Sequence, residues 1–406
     1  MLTVLYPDLL PTIRQMPGGI LPLCLEGEEY PVLVVKAPKE YILAAKINAS
    51  FRIYLAPISI ENQHTFGAVT AFFDDGDEPL VIRTPLFADD FSVVLFEALR
   101  KRRINVHLFD ELSRELLVYH AIVSIPDEAN SQMDESTLLD FSLPKARAML
   151  DEIVTWFGQR NSEDDARAIH ISLERSIYGE GLFIEDLRPE KHSFRGSRGF
   201  SHTILEREEP GSYQEEDIIQ CLLSVFSAEQ IFLSPKRTYD KEEMCDILVI
   251  TETRVLIIQA KDSPNIKRIS CQKLSRKRSN VLSALKKAIK QVKGAVGYYR
   301  RDIDTLEFFV NDERYSVDIN GLELKALIVM KELFNDQYNE YSPLLLDLVL
   351  EKTVPCIALD YPELYQYCAH LQGEEAFFDA YNVVMTHAMT HGQYPRLRFG
   401  LVDPNQ

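Results

Sequence analysis

The chain has 406 residues, of which 46% are hydrophobic and 26% are charged, and 62 acidic against 44 basic residues give a net charge of −18. This length predicts roughly two to three domains, and the composition excludes disordered and collagen-like proteins. Because the apolar stretches fall short of the roughly 20 residues of a membrane span and residues 1–11 lack a secretory signal, we expect a cytoplasmic protein without a membrane segment. The six cysteines form no CxxC pair, which favours reduced, mostly buried thiols.

The first 125 residues predict an α+β N-terminal domain. A helix is expected at 90–103, where apolar residues recur and basic residues suit the C-terminal end of the helix dipole. Residues 74–77 (DDGD) contain an Asp-Gly hairpin turn signal. Runs of β-branched and aromatic residues predict strands at 31–36, 51–55, 66–73, 79–87, 105–109 and 116–125.

Residues 126–205 predict a helical linker region. The first part, 126–137, is polar and without periodicity, which indicates a loop. Helices are expected at 143–157 and 164–176. A segment rich in Ser, Gly and Arg follows, and we place the main domain boundary near residue 205.

Residues 206–406 predict a second domain in which helices and strands alternate, so the fold class is α/β. Helices are expected at 212–226, 280–300 and 374–389. Strands are expected at 230–233, 246–250, 255–261, 326–330 and 354–358.

The segment CDILVITETRVLIIQAKDS, residues 245–263, carries the polar residues that most clearly indicate chemistry. Pairing its two apolar runs through a turn centred on residues 252–253 places Asp246 directly opposite Gln259. Lys261 lies on the same face, because side chains alternate along a strand. Three polar residues thus meet at the end of an apolar hairpin, an arrangement that is costly unless they are paired or bind a metal.

Two interpretations of this group remain open. In the functional one, Asp246 and the amide oxygen of Gln259 hold a hard divalent cation, which polarises a phosphate and lowers the pKa of water. Lys261 then orients the water or stabilises charge on the phosphate. In the structural one, Asp246 and Lys261 form an ion pair at a strand end.

The charge of the chain is unevenly distributed. Residues 263–301 contain twelve Lys and Arg and no acidic residue, so this basic island carries +12 and the remainder −30. Lys286, Lys290 and Lys293 share one face of a predicted helix, and the loop before it adds basic residues such as Arg268. The island predicts binding of a polyanion such as nucleic acid. The alternative is a solvent-exposed face, or one that binds an acidic partner or the acidic part of the same chain.

The hairpin resembles that of the PD-(D/E)XK, or restriction-endonuclease-like, nuclease superfamily, in which an Asp is followed by an acidic residue or Gln, one spacer and Lys. Asp246, Gln259, Ala260 and Lys261 stand at these positions. The sequence of the segment is similar to that of nuclease-related (NERD) domains, and its Gln-Ala-Lys motif is similar to that of Mrr-type nucleases. The resemblance covers about 205–300, extends at most to 406, and leaves residues 1–200 unaccounted for.

The resemblance implies a mixed sheet flanked by helices, an endonuclease that uses Mg²⁺ or Mn²⁺ to cut DNA, and a role in bacterial antiviral defence. It also implies a metal-binding glutamate on the preceding helix. Glu216 is the preferred candidate, since a capping box with Ser212 would occupy the alternative, Glu215. There are two departures: Cys245 replaces the usual Pro, and Gln259 removes one negative charge from the metal site.

The expected organisation is therefore an α+β domain at 1–125, a linker region at 126–205 and a nuclease-like domain at 206–406. The N-terminal domain is expected to serve recognition, regulation or assembly through a protein partner, and a homodimer would suit cleavage of both DNA strands. The alternative function is a catalytically silent nuclease-fold protein that binds nucleic acid or scaffolds a defence complex. The sequence leaves DNA and RNA substrates undistinguished.

Overall fold

Each half of the chain contains one large β-sheet. The computed structural model describes residues 1–16, 18–74, 79–135, 137–180, 184–209 and 211–397. These parts combine helices with mixed sheets, so the predicted α/β class is confirmed. None of the helices in these ranges has the length and apolar character needed to cross a membrane.

The N-terminal half forms an eight-stranded sheet. Its strands are β1 (Gly19–Leu23), β2 (Val32–Lys36), β3 (Ser50–Ile60), β4 (Gln63–Phe72), β5 (Leu80–Pro85), β6 (Arg103–Phe109), β7 (Glu115–Ser124) and β8 (Ile169–Ser176). Its helices are α1 (Leu2–Leu5), α2 (Leu9–Gln15), α3 (Lys39–Asn48), α4 (Asp90–Arg100), α5 (Asp127–Glu135), α6 (Leu143–Gly158) and α7 (Ser162–Arg167). The strand order is β1-β2-β6-β7-β8-β3-β4-β5, and β2 runs parallel to β6.

The strands and helices predicted for residues 1–125 are present, with boundaries shifted by a few residues. The turn predicted at 74–77 falls on residues 75–77, which lie outside the described residues. The strands on either side of it, β4 and β5, pair in antiparallel fashion.

Strand β8 corrects the prediction of a helix at 164–176 and of a linker at 126–205. The buried residues Ile169, Ile171 and Leu173 alternate with polar ones, which is the period of a strand, and the helix α7 ends at Arg167. Because β8 lies between β7 and β3, this part of the chain contributes a central strand to the N-terminal sheet.

Helix α5 corrects the prediction of a loop at 126–137. Its two buried residues, Ala129 and Met133, lie one turn apart and pack against the N-terminal sheet. The acidic residues Asp127 and Glu128 occupy the first turn, where negative charge suits the helix dipole. Two apolar residues among so many polar ones were too weak a signal to reveal the helix.

The C-terminal half is built around a five-stranded mixed sheet. A short pair, β9 (Ile184–Asp186) and β10 (Ser201–Thr203), precedes it. The strands that follow are β11 (Ile231–Leu233), β12 (Lys236–Arg237), β13 (Ile247–Ile250), β14 (Arg254–Lys261), β15 (Thr305–Val310), β16 (Glu313–Asp318), β17 (Glu323–Met330) and β18 (Cys356–Asp360). The helices are α8 (Gly211–Leu222), α9 (Lys267–Ser270), α10 (Leu274–Tyr299), α11 (Tyr338–Lys352), α12 (Tyr361–His370) and α13 (Glu374–His391).

The order of the main sheet is β11-β13-β14-β17-β18, while β12, β15 and β16 form a smaller one. Strands β11, β13 and β14 are antiparallel neighbours, and β14, β17 and β18 are parallel ones. Both α8 and α10 pack against β14, and one continuous hydrophobic cluster joins them to the sheet. Such complete burial explains the nearly unbroken apolar sequence of β14 and β17. Four of the six cysteines are buried, as expected, and Cys24 and Cys271 are exposed.

A buried charge network joins the two halves. Asp217 of α8 lies 2.6 Å from the Lys39 ammonium and 2.7 Å from the Arg114 guanidinium, which both belong to the N-terminal half. Arg114 also contacts Asp110 at 2.7 Å. Burial alone would raise the pKa of Asp217, but Arg114 and Lys39 hold it well below its usual range. Helix α8 is therefore fixed in place by cations of the N-terminal half.

Replacing Asp217 with Asn is expected to lower the free energy of unfolding by about 3 kcal/mol, the lower end for a broken buried ion pair, because buried Lys39 and half-buried Arg114 lose one of the two carboxylates that they share and keep the other, Asp110. Urea unfolding measures this change. Asp134→Asn is the matched control, since Asp134 pairs with Arg100 on the surface and such a pair contributes at most about 1 kcal/mol. If Asp217→Asn loses no more than Asp134→Asn, the network does not hold the halves together.

Candidate active site

The end of the β13–β14 hairpin brings together the three residues predicted from its sequence. Ile247 pairs with Ile258, so Asp246 lies opposite Gln259, and the predicted register is confirmed. The Gln259 amide Nε2 donates a hydrogen bond to Asp246 Oδ2, and the backbone N–H of Ala260 donates to the same oxygen at 2.5 Å. The Lys261 ammonium lies 3.9 Å from that oxygen.

Asp246 is held in a largely buried position at the edge of the sheet. Its residue is 6% exposed, and Gln259 is 1% exposed. Burial raises the pKa of Asp246 to about 6, although Lys261 and the two hydrogen bonds favour its charged form. The carboxylate is therefore oriented by its neighbours while its negative charge is only partly compensated.

Glu215, and not the preferred candidate Glu216, is the helix carboxylate whose charge interacts with Asp246 and Lys261. Burial and the negative charge of Asp246 raise the pKa of Glu215 to about 8, and Lys261 acts in the opposite direction. Glu216 is instead buried against the Arg198 guanidinium, which donates a hydrogen bond to it. The capping-box argument was wrong because α8 begins at Gly211, so Ser212 lies inside the helix and is not its N-cap.

The lysines predicted to bind nucleic acid lie on the outer side of α10. Lys286, Lys290 and Lys293 are exposed or half-buried, and Lys293 is paired with Glu351 of α11. Arg268 is exposed on the short helix α9. The structure does not bring these four residues into contact with Asp246.

A cleft next to Lys261 contains functional candidates that the sequence reasoning missed. Its volume is about 430 Å³, and Lys277 and Lys287 of α10 and Lys331 after β17 lie along it. Lys331 and Glu332 directly follow a buried strand that is parallel to β14, and the carboxyl ends of parallel strands meet at one edge of a sheet. Applied to the sequence, this rule about strand ends could have identified Lys331 and Glu332 as candidates. Burial raises the pKa of Glu332 to about 7.

The site has the ligand types that suit magnesium, although few of them. Within the described ranges, no group of three or more His, Cys, Asp or Glu side chains is arranged to hold a metal ion. Glu215 and Asp246 supply two carboxylates, and Mg²⁺ is usually held by one or two carboxylates together with substrate phosphates. Burial is the main cause of their raised pKa values, and the charge of Asp246 adds to it at Glu215. In number and type, these two carboxylates match a Mg²⁺ site that substrate phosphate completes.

Comparison of the chain with protein-family models, with curated proteins and with solved structures found no match.

The raised pKa values of Glu215 and Asp246 predict that the metal-free protein loses stability as the pH rises. In the unfolded chain these carboxyls titrate near pH 4, so between about pH 4 and pH 8 the folded chain binds more protons, and stability falls with rising pH. Glu215→Gln removes one of these groups and should flatten the decline. Thermal unfolding in EDTA measures it.

Glu252→Gln is the control for this prediction, because Glu252 is exposed in the turn at the opposite end of the same hairpin. It should leave the pH dependence of the unfolding temperature unchanged. The same pH dependence in Glu215→Gln and in the unmodified protein would contradict a raised pKa at Glu215.

Proposed function

We propose that the chain is a metal-dependent nuclease that hydrolyses phosphodiester bonds of DNA. The observation that carries the proposal is the grouping of Asp246 and Glu215 around Lys261, which itself lines a cleft with further lysines along it. Two carboxylates beside a lysine provide for a cation and for a phosphate, which are the two charged species of phosphodiester hydrolysis.

Glu215 and Asp246 would hold Mg²⁺ or Mn²⁺, and the substrate phosphate would complete the site. When bound, the cation would neutralise charge on the phosphate and lower the pKa of a water molecule. The Gln259 amide has its nitrogen turned toward Asp246, so its role in this proposal is to orient that carboxylate. This differs from the expectation that Gln259 contributes an oxygen ligand.

Lys261 would stabilise the negative charge that develops on the phosphate. Its ammonium is tethered at 2.6 Å from the Ala260 carbonyl oxygen and remains half-buried beside Asp246, so its position is set before substrate arrives. In the reaction the water oxygen forms a bond to phosphorus and one phosphorus–oxygen ester bond breaks. A proton leaves the water and a proton is taken up by the leaving oxygen, which balances the step.

The order of elements also supports the proposal. Helix α8 carries the carboxylate, β11, β13 and β14 form an antiparallel run, helix α10 follows, and β17 returns parallel to β14. A mixed sheet packed with helices is what the resemblance to PD-(D/E)XK nucleases implied.

A catalytically silent protein that binds DNA is the second candidate. It is favoured by the small number of carboxylates at the site, since Gln259 stands where a third would be.

Cleavage of labelled DNA in Mg²⁺ or Mn²⁺ distinguishes the two candidates. Asp246→Ala and Lys261→Met are each expected to lower the cleavage rate by at least about 100-fold, because the first removes a ligand of the cation and the second removes a positive charge beside the reacting phosphate. EDTA is expected to abolish cleavage.

Glu252→Ala serves as the matched control, since it removes a carboxylate from the far end of the same hairpin. Its rate should equal that of the unmodified protein. Equal rates in all variants would rule out this active site, binding of DNA without cleavage would favour the silent protein, and cleavage of RNA alone would overturn the choice of DNA.

A further inference from the structure

The cleft beside Lys261 has a second wall that comes from the N-terminal half. Glu40 of α3, Asp74 after β4 and Leu80 of β5 line it opposite α10. Two ion pairs span the cleft: Lys331 lies 3.1 Å from Glu40, and Lys277 contacts Asp74. The cleft is thus walled on both sides and differs from an open groove along the sheet edge.

The two walls carry opposite charge. Lys277 and Lys287 project from α10, while Glu40 and Asp74 lie on the N-terminal wall. Lys287 is exposed and has no acidic partner in the ranges that the structure describes. A duplex carries phosphates on both of its strands. The described residues of the N-terminal wall include no basic side chain, and their carboxylates are already paired with Lys331 and Lys277, so the second backbone would find no positive charge there. A single strand has only one backbone, which can lie along the basic side of α10 without approaching the N-terminal wall.

The interior of the cleft is suited to a nucleobase. Apolar side chains line it between the charged walls, and these include Ile269, Val281, Ala284 and Met330. A volume of about 430 Å³ lies in the range that encloses one drug-sized ligand, which is the size of a single nucleotide. A base reaches such a pocket only when it is unpaired and unstacked.

From these features we infer that the substrate is an unpaired DNA strand, with its backbone along α10 and a base in the cleft beside Lys261. The inference rests on the proposed nuclease function, since it names the substrate class of that same site. The N-terminal half thereby acts as the wall that selects one strand over two.

The test uses the full-length protein and one labelled oligonucleotide, presented as a single strand, as a blunt duplex and as a duplex with an unpaired tail. In Mn²⁺ the single strand and the tail should be cut at least about tenfold faster than the duplex, because opening base pairs costs a few kcal/mol. Binding measured in EDTA should show the same preference, and this readout does not require cleavage.

Equal binding of the single strand and the duplex, or faster cutting of the duplex, would overturn the inference while leaving the nuclease proposal intact. A protein that binds the single strand preferentially but cuts nothing would support the cleft as a strand site and contradict the nuclease proposal. The two claims therefore fail separately.

Variants of the two walls locate the effect. Lys287→Ala should weaken single-strand binding several-fold and reduce its salt dependence, and this loss should exceed that of Lys286→Ala, whose lysine is not among the residues that line the cleft. An equal or larger loss in Lys286→Ala would place the strand outside the cleft. Combining Glu40→Gln with Asp74→Asn releases Lys331 and Lys277 from their ion pairs and should increase duplex binding more than single-strand binding. Unchanged duplex binding, or an equal increase for both substrates, would contradict the selecting role of that wall.

Discussion

The register of the β13–β14 hairpin is the constraint on which the candidate site depends. The pairing of Ile247 with Ile258 places Asp246, Gln259 and Lys261 at one end of a hairpin that is otherwise apolar. The rest of the sheet and helices α8 and α10 bury that hairpin on both faces, so a one-residue slip would repack every apolar side chain and separate Asp246 from Gln259. The polar group at its open end is therefore positioned by the hydrophobic core.

A network of ion pairs around Asp217 connects this site to the N-terminal half. Asp217 lies two residues from Glu215 on α8 and is held by Lys39 and Arg114, so the helix that carries the site carboxylate is anchored by the other half of the chain. The same half supplies Glu40 and Asp74 to the second wall of the cleft. The N-terminal half thus has two physical roles, which are to fix the helix and to narrow access to the site.

Local pattern was sufficient for the hairpin and for most of the strands, because period-two alternation and apolar runs directly reflect burial. It was insufficient where the decisive contact was distant in sequence. The ion pair between Lys277 and Asp74, for example, joins positions that no local pattern relates. The helix predicted at 164–176 was wrong for a different reason, because Ile169, Ile171 and Leu173 already alternate with polar residues as in a strand. The preference for Glu216 depended on where α8 begins, and helix ends are the least certain part of any pattern.

A cation site formed by Glu215 and Asp246 at the end of the hairpin can be observed in a crystal structure of the protein soaked in Mn²⁺, with anomalous differences recorded. An anomalous peak is expected within coordination distance of carboxylate oxygens from both residues, and it should be lost in Asp246→Ala. A peak at some other group of residues, or density with the Lys261 ammonium bonded directly to both carboxylates and no cation between them, would contradict this assignment.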